Sequence, residues 1–359
     1  MTERACDGCT ARSWLVGRLG AHLERARSRI DQVLALRDDE LIAAIGGRES
    51  PDLRRELATL DLDEVRAQTR AAGLETVCRC DPAYPASLLA LAAPPAVLHV
   101  AGELGRLTGM LAEDPVALVG SRTASPYGLE VARALGRGLA FAGITIVSGM
   151  ALGIDSAAHA GALEAGRPTV AVLPASADRP YPPGKRALHR RIVAAGAAVS
   201  ELGPGTSVWR WMFPARNRII AALAAMTVVV EAGERSGALV TARLAHGIGR
   251  PVGAVPGRVT QPQAGGSNGL LAAGASVVRG PQDVLDHLFG AGARAARAPR
   301  RQPPAELAPL LAAIADGHET AAALSRAGFA PDRGLVALAE LELGGFVRRG
   351  AGGRFSVIP

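Results

Sequence analysis

Residues 209–220, WRWMFPARNRII, combine aromatic and cationic side chains in a way that suits contact with nucleic acid. Six such residues are interleaved there: Trp209, Arg210, Trp211, Phe213, Arg216 and Arg218. Arginines neutralise phosphates, and an aromatic ring stacks on an unstacked base, which contributes about 1–3 kcal/mol per base. The alternative is a local hydrophobic cluster with the arginines on a solvated face. The pattern favours a single-stranded nucleic acid as the ligand.

Small residues follow three apolar segments that have the composition of buried strands. The three loops are Ser121-Arg122, residues 149–153, and Gly233 with Ser236-Gly237. The carboxyl ends of parallel strands meet at one edge of a sheet, where free amides at helix N-termini favour anions. We therefore expect the three loops to form one ligand site, with Arg122 as a fixed charge at its rim.

The elements that would position these loops lie between residues 115 and about 289. Short β-branched segments alternate there with helical stretches, which predicts a Rossmann-like α/β domain with a parallel sheet. The predicted strands are 116–120, 144–148, 169–174, 197–200, 227–232, 252–256 and, more weakly, 275–278. The predicted helices are 127–141, 154–165, 185–195, 216–224 and 236–247.

Flanking segments predict two further parts. Helical periodicity over residues 13–76 indicates a helical module of the SAM-like kind, and a Pro-rich extended segment then opens the sheet domain at 81–290. A basic linker at 291–304 leads to a winged helix at 305–359. Its predicted helices cover 305–315, 319–326 and 332–343, a hairpin follows them, and Leu335, Leu338 and Leu341 are expected in its core.

Composition supports a polyanionic partner, although only weakly. The net charge is +7, but Lys185 is the only lysine, so the arginine excess looks like a bias of the whole chain. The position of the arginines therefore matters more than their number. The chain has neither a signal-peptide segment nor an apolar run approaching about 20 residues, so we expect a cytoplasmic protein without a membrane partner.

The four cysteines form one CxxC pair, Cys6 and Cys9, and one CxC pair, Cys78 and Cys80. Together they could form a four-thiolate zinc site. The simpler interpretation is a set of reduced thiols in a poorly ordered N-terminus and an interdomain segment. On that interpretation the chain needs no metal.

Several motifs occur in an order that resembles the DNA-processing protein A (DprA/Smf) family over roughly residues 80–290. They are VALVGSR, IVSGMALGIDSAAHAGAL, the YPP at 181–183, FPARNRIIAAL, VVVEAGERSGALVTARLA, the VPG at 255–257 and GGSNGLLAAGA. The resemblance implies an extended Rossmann fold that binds single-stranded DNA and dimerises through that domain. It also implies a role in protecting incoming DNA and loading a RecA-type recombinase on it in natural transformation.

The family pattern and the strand-end loops together predict a set of DNA-binding residues. The set is Gly120, Ser121, Arg122, Ser148, Gly149, Arg210, Phe213, Arg216, Asn217, Ser236 and Gly237. At position 210 some relatives carry lysine, which keeps the charge and changes the geometry of phosphate contact. We predict no catalytic residue and no cofactor.

Two other classes of function are weighed against this prediction. A nucleotide-binding or nucleotide-hydrolysing enzyme of the LOG type needs a glutamate where this chain has Val240 and Thr241, so its general acid/base is missing. Glu231 and Glu234, nearby, are expected to pair with arginines. A sequence-specific regulator would use the predicted third helix of the winged helix, whose acidic residues would be repelled by phosphate.

Overall fold

A computed structural model of the chain describes residues 3–295 and 303–358. These two ranges belong to two compact units. Residues 296–302, half of the predicted linker, lie outside the described residues. Its first part belongs to the first unit, because the guanidinium of Arg294 lies 4.9 Å from the ring centroid of Phe289.

The first unit is built on one ten-stranded sheet with helices on both of its faces. Its strands are β1 Glu3–Arg4, β2 Leu74–Cys78, β3 Val97–Gly102, β4 Val116–Val119, β5 Ile146–Ser148, β6 Thr169–Val172, β7 Ala197–Ser200, β8 Met226–Val229, β9 Val252–Ala254 and β10 Ser276–Val277. Its helices are α1 Asp7–Arg18, α2 Gly20–Arg25, α3 Ile30–Leu34, α4 Asp38–Ile45, α5 Ser50–Ala58, α6 Leu62–Ala71, α7 Leu104–Leu111, α8 Pro126–Phe141, α9 Ile154–Glu164, α10 Arg186–Ala195, α11 Met212–Leu223, α12 Ala238–Gly247, α13 Gly265–Ala272 and α14 Pro281–Phe289.

The strand order is β1-β2-β3-β7-β6-β5-β4-β8-β9-β10, and the seven strands from β7 to β10 are parallel. These seven are the predicted strands, so the predicted Rossmann-like α/β sheet is confirmed. β4 to β9 are mostly apolar because helices cover both faces of the sheet, whereas β10 at the edge is partly exposed. The chain reverses its direction of travel across the sheet between β4 and β8, which makes that pair the topological switch point.

The predicted boundaries of the helical module differ from those of the structure. Its helices begin at Asp7 with α1, and its last predicted residues, 74–76, belong to β2, which pairs antiparallel with β3. The module is also part of the first compact unit. Trp211 shows why: its side chain is fully buried against the module, and its indole nitrogen donates to the carbonyl oxygen of Gly20 at 2.9 Å.

The placement expected for the four cysteines is wrong. Cys6 and Cys9 lie at the start of α1, and Cys78 and Cys80 lie at the end of β2. The Sγ atoms of all four lie within 4.8 Å of one another. They meet because β1 pairs in parallel with β2, with Arg4 opposite Val77.

The second unit contains three helices followed by a two-stranded antiparallel sheet. Its elements are α15 Ala308–Ala315, α16 Ala321–Arg326, α17 Pro331–Leu343, β11 Val347–Arg349 and β12 Phe355–Val357. Leu338 and Leu341 are buried as expected, whereas Leu335 is 57% exposed and is not a core residue. Assignment of this unit as a winged helix stays a prediction.

Within the described ranges, no helix has both the length and the apolar character that crossing a membrane would require.

Two buried histidines in the first unit are held in the neutral form. The Thr169 hydroxyl donates to the carbonyl oxygen of Ile146 at 2.7 Å, so it accepts the Nδ1–H of His159 at 2.8 Å. Burial lowers the pKa of His159 to about 3 and the pKa of His99 to about 4. Both values lie below the unfolded value of about 6.5.

We predict that the first unit loses stability as the pH falls from about 7 towards about 5, because the unfolded chain then binds protons that the folded unit excludes. The measurement is urea unfolding followed by tryptophan fluorescence, since Trp14, Trp209 and Trp211 all lie in this unit. The exposed His287 supplies the control, and His287→Gln should leave the pH dependence unchanged. A free energy of unfolding that stays constant over this pH range would contradict the prediction.

Candidate nucleic-acid interface

A cavity of about 680 Å³ opens at the carboxyl ends of β4 and β8, at the switch point of the sheet. Eight of the predicted DNA-binding residues line it: Gly120, Ser121, Arg122, Phe213, Arg216, Asn217, Ser236 and Gly237. Ser148, Gly149 and Arg210 are not among its lining residues. The loops after β4 and β8 therefore meet as the sheet topology requires.

Phe213 and Arg122 form the aromatic and cationic pair of the cavity. The Arg122 guanidinium carbon lies 4.9 Å from the centroid of the half-buried Phe213 ring. Tyr181 of the YPP motif packs edge-on against the same ring, with 5.3 Å between centroids. Arg122 is exposed and makes no ion pair within the described part of the chain, so its charge is available to a phosphate.

Arg216 lies beneath the cavity and is not a free cation. Its side chain is buried, and Nη1 donates to the carbonyl oxygens of Gly149 at 2.6 Å and Val172 at 2.8 Å. Burial lowers its pKa to about 10, and the nearby carboxylate of Asp155 acts against that shift. Arg216 therefore stays charged at neutral pH and joins the ends of β5 and β6. Its geometry supports a positioning role in place of the predicted DNA contact.

The loop after β5 does not offer the free amides that its small residues suggested. The Asp155 carboxylate accepts from the amides of Gly149 at 3.1 Å and Ala151 at 3.4 Å. The Ser148 hydroxyl is fully buried and donates to the carbonyl oxygen of Leu118. Burial raises the pKa of Asp155, and the charge of Arg216 opposes this. These groups shape the floor of the cavity instead of facing a ligand.

The segment 209–220 separates into exposed and buried residues. Trp211 packs in the core with the helical module, as the alternative of a hydrophobic cluster proposed, and Trp209 packs beside it. Arg218 is buried and pairs with Glu201 at 2.5 Å between Nη2 and Oε2. Arg210 is exposed and lies one turn before Phe213, whose amide donates to the Arg210 carbonyl oxygen. Phe213 is thus the ring of this segment that reaches the cavity.

The residue pattern missed three residues around the cavity: Arg235, Gln263 and Tyr181. Arg235 is exposed, and its position inside the quoted AGERSG turn was the signal that could have identified it. Tyr181 and Gln263 come from loops whose distance to the cavity depends on how the chain returns across the sheet. The YPP motif of the family resemblance was a signal for Tyr181, whereas the local sequence carried no sign of Gln263.

Two of the acidic residues near the cavity, Glu231 and Asp155, accept hydrogen bonds from backbone amides. Glu231 is buried and accepts from the amide of Ser125 at 2.8 Å and from the Ser125 hydroxyl, at the start of α8. The expectation that it pairs with arginine is wrong, because it serves the N-terminus of a helix instead. Glu234 is exposed and makes no ion pair within the described ranges. Asp155 is the one carboxylate among the described residues that line the cavity.

The sheet and its cavity define a Rossmann-like α/β protein with a cavity at the switch point, where ligands of this fold class bind. Residues 75–289 match the family model described as DNA recombination-mediator protein A. The match covers more than half of the chain, which therefore belongs to this family of DNA-processing proteins. The family resemblance inferred from the motifs is confirmed.

Known relatives agree with this assignment. The DNA processing protein DprA of Streptococcus pneumoniae is 36% identical over 256 residues, which cover 71% of this chain and 88% of the relative. Its X-ray structure aligns with a TM-score of 0.64 and 31% identity, covering 78% of this chain and 96% of that chain. DNA processing protein A of Helicobacter pylori, solved in a study of its single-stranded DNA binding mode, aligns with a TM-score of 0.51 and 31% identity, covering 56% and 91%. The names of both relatives agree with the prediction of a DNA-handling protein.

We predict that Arg216→Ala lowers the free energy of unfolding by about 2–6 kcal/mol, because two buried carbonyls each lose their donor at about 1–3 kcal/mol. Arg122→Ala removes an equal charge from an exposed position and should change stability by less than about 0.5 kcal/mol. Urea unfolding of both variants beside the wild type provides the comparison. Equal stability of the two variants would show that Arg216 does not hold the floor of the cavity.

Proposed function

We propose that this chain binds single-stranded DNA at the switch-point cavity and has no catalytic activity there. The observation that carries the proposal is the exposed Arg122 guanidinium lying against the Phe213 ring at the edge of the cavity. Such a pair offers a cation to a phosphate and an aromatic surface to the neighbouring base.

Cavity size and charge support the same ligand. A volume of about 680 Å³ lies in the range of small-molecule pockets, about 300–1,000 Å³, so a nucleobase fits with room for its sugar. Arg122 and Arg235 line the cavity and are both exposed, so they are available to the phosphates on either side of that base. A base in a duplex is already stacked and paired, which favours a single strand.

Polar groups on the other side of the cavity come from α11 and from the turn before α12. Ser236 Oγ accepts from the amide of Ala238 at 3.3 Å, and Asn217 Nδ2 donates to the carbonyl oxygen of Gly237 at 3.4 Å. The second contact is long for a hydrogen bond, so Asn217 can turn its amide towards a ligand at small cost. We propose that Asn217 and Ser236 contact the sugar or the base edge.

The position of Arg210 indicates the path of the DNA strand beyond the cavity. Because Arg210 is exposed one helical turn before Phe213, a strand whose base stacks on Phe213 brings its next phosphates towards Arg210. This proposal gives Arg210 a phosphate contact outside the cavity itself. The single-stranded DNA binding of the Helicobacter pylori relative supports the choice of ligand.

We further propose that the bound strand is protected and then passed to a RecA-type recombinase, in recombination or natural transformation. The family model's description as a recombination mediator supports this step. Dimerisation through the sheet unit and action in the cytoplasm are part of the same proposal, and both rest on the family resemblance.

We predict that Arg122→Ala and Phe213→Ala weaken binding to oligothymidylate in different ways. Arg122→Ala should lower the slope of log K against log salt by about 0.7, the value for one phosphate contact on a single strand. Phe213→Ala should cost about 1–3 kcal/mol of binding and leave the slope nearly unchanged, because stacking releases no counterion. Fluorescence anisotropy titrations at several salt concentrations measure both quantities.

Arg48→Ala is the matched control, since Arg48 is an exposed arginine of the helical module that does not line the cavity. It should bind like the wild type at every salt concentration. If Arg122→Ala also matches the wild type across the salt range, the cavity is not the DNA site. A Phe213→Ala variant that loses binding only in proportion to lost melting temperature would assign Phe213 to the core.

A further inference from the structure

The four cysteines of the chain form one cluster, remote in sequence from the switch-point loops. Cys6 immediately precedes α1, Cys9 lies in its first turn, and Cys78 is the last residue of β2. The amide of Asp81 donates to the carbonyl oxygen of Cys78 at 2.9 Å, and this tight turn brings Cys80 close to Cys78. Cys9 and Cys78 are buried, and Cys6 and Cys80 are exposed.

The spacing of the sulfur atoms distinguishes between metal binding and disulfide formation. The Sγ atoms of Cys9 and Cys80 are 3.7 Å apart, those of Cys6 and Cys78 are 3.9 Å apart, and all four lie within 4.8 Å of one another. A tetrahedral zinc ion with Zn–S bonds of about 2.3 Å separates its sulfur ligands by about 3.8 Å. A disulfide would need about 2.05 Å. Two of the six sulfur separations thus match the zinc value, and none of the six exceeds 4.8 Å.

We propose that Cys6, Cys9, Cys78 and Cys80 bind one Zn²⁺ ion as a closed four-thiolate site. Four thiolates in tetrahedral arrangement are one of the donor sets of structural zinc sites in proteins. Binding releases the thiol protons and leaves a complex of four thiolates and one divalent ion. With four protein ligands there is no open position for substrate, so the site is structural.

A helix N-terminus adjoins the cluster on one side, and apolar side chains pack against it on another. The sulfurs lie at the N-terminus of the twelve-residue helix α1, whose dipole stabilises negative charge there. Ala96 and Val97 pack against Cys9 and Cys78 on the inner side. Asp81 follows Cys80 in the sequence, and its carboxylate lies 3.7 Å from the Arg4 guanidinium, between Oδ1 and Nη1. Solvent reaches the cluster from the side of the two exposed cysteines.

Zinc binding would cross-link the helical module to the sheet through zinc–sulfur bonds. Residues 10–77, which include five of the module's six helices and most of α1, lie between the inner ligands Cys9 and Cys78. Because β1 is only two residues long, its pairing with β2 is a weak anchor for the N-terminus. The ion would hold α1 against the end of β2 and so keep the module in place.

The test is metal analysis of the full chain purified under reducing conditions, loaded with Zn²⁺ and desalted. We expect one zinc ion per chain. In place of zinc, Co²⁺ should give the sulfur-to-cobalt charge-transfer bands and the intense visible bands of a tetrahedral thiolate complex. Removal of zinc by a chelator should lower the melting temperature by at least about 3 °C, because the ion binds only the folded chain.

Cys6→Ser and Cys80→Ser change exposed positions, so both variants should fold, and both should lose the cobalt bands and the effect of the chelator. Thr10→Val is the matched control in the same turn of α1, because it removes a hydroxyl that bonds the Cys6 carbonyl and leaves all four thiols. It should bind zinc like the wild type. A wild-type chain that holds no zinc after loading, or one whose mass shows disulfides after purification without reductant and which takes up no metal when reduced, overturns the proposal.

Discussion

The carboxyl ends of β5 and β6 are joined by one buried guanidinium, that of Arg216, and the cavity depends on this contact. Two backbone carbonyls accept from its Nη1, while Asp155 takes two amides of the same loop from the other side. A buried cation needs such partners, since leaving it without them costs several kcal/mol. Residue 149 is glycine because a Cβ there would overlap the guanidinium. The backbone beneath the ligand site is therefore fixed before any ligand arrives.

Burial divides the arginines of this region into two groups with different tasks. Arg216 and Arg218 are buried, and each makes its contacts inside the protein, with backbone carbonyls and with Glu201 respectively. Arg122 and Arg235 remain exposed at the cavity. Phe213 connects the groups, since it lies three residues before Arg216 on α11 and so stands over the same face of that helix. One helix thereby supplies both the aromatic ring at the cavity and the cation beneath it.

The sequence predicted best those features that depend on residues close together in the chain. Apolar segments covered on both faces predicted seven parallel strands, and ordered motifs predicted the family and most of the cavity. The sequence predicted a phosphate contact for Arg216. Its actual partners are backbone carbonyl oxygens, and the residue types in the sequence do not reveal such contacts. Trp211 looked like a stacking residue because its contacts with the helical module are remote in sequence. The cysteine cluster depends on the pairing of β1, a strand too short to show any pattern.

The central claim is that a base of single-stranded DNA stacks at the switch-point cavity while its phosphate meets Arg122. The most direct measurement is a crystal structure of the full chain bound to a short oligothymidylate. We predict a thymine ring on Phe213 and a phosphate oxygen about 2.7–2.9 Å from the Arg122 guanidinium. DNA bound to a different surface, with the cavity between β4 and β8 free of nucleotide, would contradict it.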